Sequence, residues 1–433
     1  MALWIYRLGF LPVMLVLAPY YLWRMRRRGG YVKGFGHRFG RVPKTLPAKS
    51  GGRRRIWLQA VSVGELLAIG PLVDALLSEE GNEIYLTTTT STGYALAKER
   101  YEARVAAVAY FPIDFWACSA LAWKQVQPDL VVLTEGERWP EHIYQALCYR
   151  VPVVGINARM SDRSYRRMKL LGGLVPGLMG SMERLLVVSD EDARRFRELG
   201  FTPGQVEVTG NLKVDNVIPE LEEEAKVALR AELGFSETDV VMLGSSIWPG
   251  EEVAMMAAWR RARAEVDLGG RALRLLLVPR HAERRLEVEA LVRATGADYH
   301  LRSSGNATEA REITIADTTG ELQRLTQVAD IVFVGKSLPP HSEGQTPVEA
   351  AGLGRPLLFG PRMGSFRAIA RDLLDRGAAQ QVQMAEDLGG QMVALLGDEP
   401  RRNRLGEAGR AWHKANRGAL ERTIKVLRKY LNY

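Results

Sequence analysis

From residue 54 onward the chain repeats one pattern, a short apolar run followed by a longer amphipathic stretch. RIWLQAV precedes GELLAIGPLVDALLSE, NEIYLTTTT precedes STGYALAKERY, and RLLVVS precedes DEDARRFRELG with Ser189 at the helix start. RVAAVAYFP, PDLVVLTE, VPVVGINA and VEVTGNLK read as further strands. Short apolar runs separated by helices make parallel sheets buried on both faces. After the charged helical stretch within 216–234 the pattern resumes with DVVMLGSS, LRLLLVPRH, DIVFVGKS and RPLLFGPR. GQTPVEAAGLG reads as a loop and a short helix, and 400–433 as one or two helices. A chain of 433 residues is too long for one ordinary core. The expectation is an α/β protein of two doubly wound, Rossmann-like domains facing across a cleft, 56–218 and 219–433.

Charge is unevenly placed. Residues 1–55 hold 13 Lys or Arg and no acid, so the net +9 of the chain belongs to its N-terminus, and the rest sums to −4. A folded basic face is not implied, and nucleic acid is not an expected partner. Residues 8–23, LGFLPVMLVLAPYYLW, are apolar, and RMRRR follows. Residues 1–23 read as a membrane anchor that spans the bilayer or lies in its surface, and 24–55 as a basic segment beside it. The alternative is an apolar helix docked on the protein's own core. The basic cluster after the apolar run places the body on the cytoplasmic side of the inner membrane. Cys118 and Cys148 read as free thiols, and the six histidines have no metal-ligand spacing. No metal and no cofactor are expected.

Glu65 is the first acidic residue of the chain, and it stands where the first strand turns into a helix. Ser62 can cap that helix, and Gly64 allows close approach of a ligand or a positive φ. A carboxylate in a first helical turn is favoured by the helix dipole. At the end of a strand it is also placed to take a proton from an alcohol. TTTTSTG, with Thr90, can hold an anion or simply cap a helix. LTEGERWPEH places Glu135, Glu137 and Arg138 after a strand, as a salt-bridge cluster or as a site. The basic stretch NARMSDRSYRRMK, beginning near Arg159, suits a solvated face or an acidic substrate group. In VPRH, Pro279, Arg280 and His281 stand where a nucleotide phosphate is expected, and Arg280 can pair with it. In SEGQTPVE, Gly344 and Thr346 precede a helix start that suits a phosphate, and Glu349 can accept from ribose hydroxyls. GxxxxGK[ST], GxGxxG and GxSxG are absent, which excludes a P-loop and argues against a dinucleotide site or a serine-hydrolase elbow.

In this order, GFGHRFG, AVSVGE, TTTTSTG, FPID, TEGERWP, INARMSDRS, VTGNLKVD, LVPRH, DTTGEL and EAAGLGRPLLFGP resemble the 3-deoxy-D-manno-octulosonic acid (Kdo) transferases of lipopolysaccharide assembly, along nearly the whole chain. The resemblance implies a GT-B glycosyltransferase with CMP-Kdo as donor and a lipid A precursor (lipid IVA) as acceptor. It makes Glu65 the general base of an inverting transfer that needs no divalent metal. Donor contacts fall on Ser246, Pro279, Arg280, His281, Gly344, Thr346 and Glu349. Acceptor contacts fall on Ser62, Gly64, Thr90, Glu137, Arg159 and Lys213. The chain departs from the family pattern at Ile247, Trp248 and Pro249, at Glu343, Gln345 and Thr346, and at Arg138, Glu141 and Val188. A GT-B enzyme using a UDP-sugar with a lipid acceptor, and a non-catalytic membrane-attached lipopolysaccharide-binding protein, are the competing readings.

Overall fold

The computed structural model describes residues 1–27, 34–215 and 218–431. Two compact units are present, Met1–Asn216 together with Arg417–Tyr433, and Val217–Asn416. The first holds β1 (Arg54–Ala60), β2 (Asn82–Thr88), β3 (Ala107–Tyr110), β4 (Leu130–Thr134), β5 (Val153–Ala158), β6 (Arg184–Val187) and β7 (Val206–Val208). They form one sheet in the order β3-β2-β1-β4-β5-β6-β7, and every pairing is parallel. The second holds β8 (Val240–Ile247), β9 (Leu273–Pro279), β10 (Tyr299–Leu301), β11 (Ile313–Ile315), β12 (Ile331–Val334), β13 (Leu357–Phe359) and β14 (Gln380–Gln381). Their order is β10-β11-β9-β8-β12-β13-β14, again all parallel.

The apolar runs follow from this arrangement. Successive strand residues point to opposite faces, and in both units helices cover both faces. In β1, Trp57 joins a layer with Tyr85, Val131 and Val153, covered by Trp123, Ile143 and Phe196 from helices. Ile56 and Leu58 join the opposite layer with Ile84, Val132 and Val154, covered by Leu66 and Leu72.

Three expectations are corrected. The stretch after β1 is two helices, Val63–Ala68 and Gly70–Ser78, not one. Pro71 lies in the first turn of the second, where its missing N–H costs nothing, and the chain breaks at Ile69. The strands β10, β11 and β14 are additional to the expected set. The tail does not belong wholly to the second domain: the helix Ala419–Leu431 packs on the first unit. Its Ile424, Leu427 and Leu431 enter the layer of Ile56 and Leu58, and Asp215 accepts from the N–H groups of Gly418 (2.6 Å) and Leu420 (2.5 Å). The junction expected near Pro219 falls at Asn216–Val217, residues that lie outside those described.

The N-terminal apolar stretch is a helix, Ala2–Arg27, containing Pro12 and Pro19. Among the described residues no single helix is long and apolar enough to cross a membrane; Ala2–Phe10 and Pro12–Tyr20 reach that length only as a pair bent by 40°. The helix is fastened to the first unit. Tyr6 donates to Asp114 Oδ2 (2.6 Å), and Arg7 grips the fully buried Glu141 through Nε (2.9 Å) and Nη2 (2.7 Å). Trp4, Leu8, Leu15 and Val16 remain exposed. Within the basic segment 24–55, residues 28–33 lie outside those described. Arg38 donates to Phe111 O and Thr89 O, Lys49 to Asp129, and Arg55 to Glu83 (2.6 Å), so these charges serve the fold rather than a lipid surface.

The last helix gives a direct test. Leu427→Ala should cost about 2–5 kcal/mol in chemical denaturation, as for a core leucine. A loss below about 0.5 kcal/mol, the range of surface changes, would contradict its placement in the sheet layer.

Candidate active site

Strand order in the first sheet reverses between β1 and β4. Open parallel sheets bind ligands at such a point, beyond the carboxyl ends of the strands. Glu65 stands there. Its Oε2 accepts from the Val61 N–H (2.9 Å) and from the hydroxyl of Thr134 (2.6 Å), the last residue of β4. Among the described residues its Oε1 has only the Ser62 hydroxyl, at 3.4 Å. Ser62 occupies the N-cap position but makes no capping bond; the carboxylate of Glu65 reaches back to the chain instead. Gly64 takes no positive φ, and a Cβ there would meet nothing within 4 Å, so neither backbone conformation nor packing requires this glycine.

The loop after β4 adds two more carboxylates. Glu135 adopts φ +51°, a left-handed conformation that is uncommon outside glycine. Its partners are not the neighbouring Arg138 but Arg159, at 2.5 Å and 3.2 Å, and Lys213, at 3.1 Å. Arg159 follows β5. Lys213 is carried by the turn Leu212–Val214, held by Asn157 Oδ1 on the Leu212 N–H (3.0 Å) and by Asn211 Oδ1 on the Lys213 N–H (3.0 Å). Glu137 Oε2, Arg138 Nη1 and Trp139 Nε1 are buried and have no hydrogen bond among the described residues. The Arg138 guanidinium lies over the Phe196 ring at 5.7 Å.

These neighbours drive one another's protonation. Burial, then the Glu135 charge, pushes the Glu65 carboxyl above its usual range; Thr134, the Val61 N–H and Lys213 pull the other way. Burial alone would raise Glu135 too, but Lys213 and Arg159 outweigh it and hold that carboxyl below its usual range. Burial, then the Glu65 charge, pushes Glu137 up to about 8, with the nearby Trp139 indole and Arg138 only partly opposing. The site thus holds a fixed carboxylate, a carboxylate with raised proton affinity and a carboxyl largely neutral at pH 7.

Of the residues singled out in the sequence, Ser62, Glu65, Glu137, Arg159 and Lys213 lie in this one region. Arg159 and Lys213 are ion-pair partners of Glu135. Thr90 caps its helix by accepting from the Gly93 N–H (3.1 Å), and Thr87 and Thr89 bond to Gln59 of β1, while the buried Thr88 hydroxyl has no partner among the described residues. Sequence reasoning left Thr134 unassigned. Only the strand register reveals it: Gln59 pairs with Leu133, which brings Thr134 level with the end of β1.

In the second unit the reversal lies between β8 and β12. Ser246 is buried at φ +52° near the end of β8, and β9 ends at Pro279, with Arg280 and His281 exposed just beyond it. The Arg280 N–H donates to Ile247 O (3.1 Å), which joins the two strand ends. Gly344 takes φ +68°, and a side chain there would strike Met363 Sδ at 2.5 Å, so packing explains this glycine without a phosphate. The helix after it, Val348–Gly352, is only five residues long. Thr346 donates to Glu349 (3.0 Å) and accepts from the Val348 N–H (3.3 Å). Among the described residues no group of three His, Cys, Asp or Glu could hold a metal ion.

A family profile described as 3-Deoxy-D-manno-octulosonic-acid transferase (kdotransferase) matches residues 33–216. The chain is 34% identical over 426 residues to the 3-deoxy-D-manno-octulosonic acid transferase of Bordetella pertussis, covering 96% of this chain and 97% of that one. To the enzyme of the same description from Haemophilus influenzae it is 30% identical over 428 residues, covering 98% and 95%. Among solved structures it is similar to Anabaena HepE in complex with UDP and glucose, with a TM-score of 0.61 at 13% identity, over 88% of this chain and all of that one. A UDP-GlcNAc 2-epimerase from Neisseria meningitidis bound to UDP-GlcNAc gives 0.58 at 12%, over 87% and 100%. These structural likenesses are of fold alone, the GT-B class of paired doubly wound units.

The neutral Glu137 predicts a pH-dependent stability. Its folded pKa, about 8, lies above its ordinary 4.5, so the folded chain holds this proton more tightly than the unfolded one. That contribution is complete below about 4.5 and is lost as pH rises toward 8. Glu137→Gln carries no proton to lose, so its melting temperature should gain on wild type from pH 5 to about pH 8 and level off above that. A gap that stays constant over that range would contradict the assignment.

Proposed function

The chain belongs to the 3-deoxy-D-manno-octulosonic acid transferase family, and from that premise we propose that it moves Kdo from CMP-Kdo to a lipid A precursor with Glu65 as the general base. The observation that carries this reading is the Glu65 carboxylate at the strand reversal, with Oε2 anchored twice and Oε1 nearly free. An acceptor hydroxyl beside Oε1 gives up its proton as its oxygen attacks the anomeric carbon of Kdo. The bond from that carbon to the CMP phosphate oxygen breaks, CMP leaves with the electron pair, and the configuration inverts. The raised proton affinity of Glu65 suits a group that must take a proton from an alcohol and release it afterwards. Arg280, at the end of β9, would offset the charge developing on the departing phosphate.

The same reading places the chain at the cytoplasmic face of the inner membrane. Exposed Trp4, Leu8, Leu15 and Val16 on the first helix, followed in sequence by RMRRR, support it. Each basic side chain near an anionic leaflet contributes about 1 kcal/mol. The grip of Arg7 on Glu141 would then tie the anchored helix to the first unit. It also accounts for Glu141, where the family pattern differs, since this buried carboxylate has a cation of its own.

A transfer assay with CMP-Kdo and tetra-acylated lipid A precursor, read by mass, tests the proposal. Wild type should add one or more Kdo units, and folded Glu65→Ala should lose roughly 10²–10⁴-fold in rate. Undiminished transfer by the variant would remove Glu65 from the role of base.

A further inference from the structure

At the strand reversal of the second unit, one aromatic ring gathers a set of cationic and imidazole side chains. The Lys336 ammonium lies 4.1 Å from the centroid of the Trp248 ring. His281 meets the same ring edge-on at 5.3 Å, and His341 approaches at 5.6 Å. The indole Nε1 of Trp248 is buried and has no hydrogen-bond partner among the described residues. Arg280 is joined through its N–H to Ile247, the residue before Trp248. Burial holds the His281 imidazole toward its neutral form; Glu283 opposes it, and the charges of Arg280, Arg284 and Lys336 add to it.

The backbone beneath this group is strained and tightly held. Lys336 takes φ +58°, which glycine adopts freely and a lysine does not. One buried carboxylate fixes it there. Glu251 accepts from the N–H groups of Lys336 (2.7 Å), Ser337 (2.9 Å) and Leu338 (3.1 Å), and also from that of Trp248 (2.9 Å). The loop after β8 and the loop after β12 are thus clamped so that Lys336 rests on Trp248. Strain of this kind persists where surrounding contacts over-determine it, and it gathers at ligand sites. The remaining partner of the ammonium is Glu343, an exposed carboxylate that pairs with Nζ. An ammonium has three donors, so the pairing leaves capacity for another oxyanion.

We propose that Lys336, braced on Trp248, binds an oxyanion of the sugar-nucleotide donor, and that Glu343 occupies the ammonium until the donor displaces it. This rests on the reading of the donor as an anionic sugar nucleotide. Two groups share the required chemistry, the phosphate and the sugar carboxylate.

Dissociation constants of the full chain for CMP and for CMP-Kdo, measured without acceptor, separate them. Lys336→Gly removes the ammonium and suits the backbone, so its melting temperature should equal or exceed that of wild type. Its affinity for CMP-Kdo should nevertheless fall about tenfold, the scale of one charge-assisted contact. If the ammonium takes the phosphate, affinity for CMP falls equally; if it takes the carboxylate, affinity for CMP is unchanged. Glu343→Gln should bind CMP-Kdo severalfold more tightly. Wild-type affinity for CMP-Kdo in folded Lys336→Gly overturns the proposal. A wild type that binds neither ligand instead overturns the reading of the donor.

Discussion

The double ion pair of Arg159 and Lys213 with Glu135 governs the chemistry of the first unit. Three carboxyl groups meet at one strand reversal, two of them on a single loop. Without a local counter-charge their ionisation would be shared unpredictably among them. The two cations fix the charge on Glu135, and that charge, added to burial, then raises Glu65 and helps to leave Glu137 neutral. The cations are themselves placed by the fold: Arg159 follows β5, and Lys213 rides on a turn held by Asn157 and Asn211. A chain of small backbone bonds therefore sets the proton affinity of the candidate base.

Each unit uses a glutamate near its strand reversal, half-buried Glu65 and buried Glu251, for opposite purposes. Glu65 is anchored through one oxygen and leaves the other nearly free. Glu251 has both oxygens engaged by backbone N–H groups and has no capacity for chemistry. The left-handed residues follow the same geography. Among the described non-glycine residues with positive φ, Gln127 and Arg150 end helices, whereas Glu135, Asn157, Ser246 and Lys336 lie at the carboxyl ends of strands. Backbone strain is thus concentrated where parallel sheets bind ligands.

Much of this was legible in the sequence. A parallel strand covered on both faces must be apolar throughout, so runs such as IWL, VVL and LLLV announced themselves. The Ser189 cap was equally plain, and its hydroxyl accepts from the Asp192 N–H (3.2 Å). Glu65 stood out because no acid precedes it. What stayed hidden depends on contacts distant in sequence. The short strands β10, β11 and β14 carry too few residues to show a period. The last helix is amphipathic, but nothing local says which core receives its apolar face. Lys213 and Arg159 were read as acceptor contacts, and their pairing with Glu135, 78 and 24 residues away, was not visible. Trp248 and Lys336 are 88 positions apart, and only the pairing of β8 with β12 brings them together.

The pH dependence of kcat/KM for Kdo transfer tests the central point most directly, since it reports the essential base of the free enzyme. The acid limb should fall above the ordinary glutamate value of 4.5, because burial and the Glu135 charge raise Glu65. Removing that charge with Glu135→Gln should move the limb to lower pH. An acid limb at or below 4.5 in wild type, unmoved in the variant, would contradict the account.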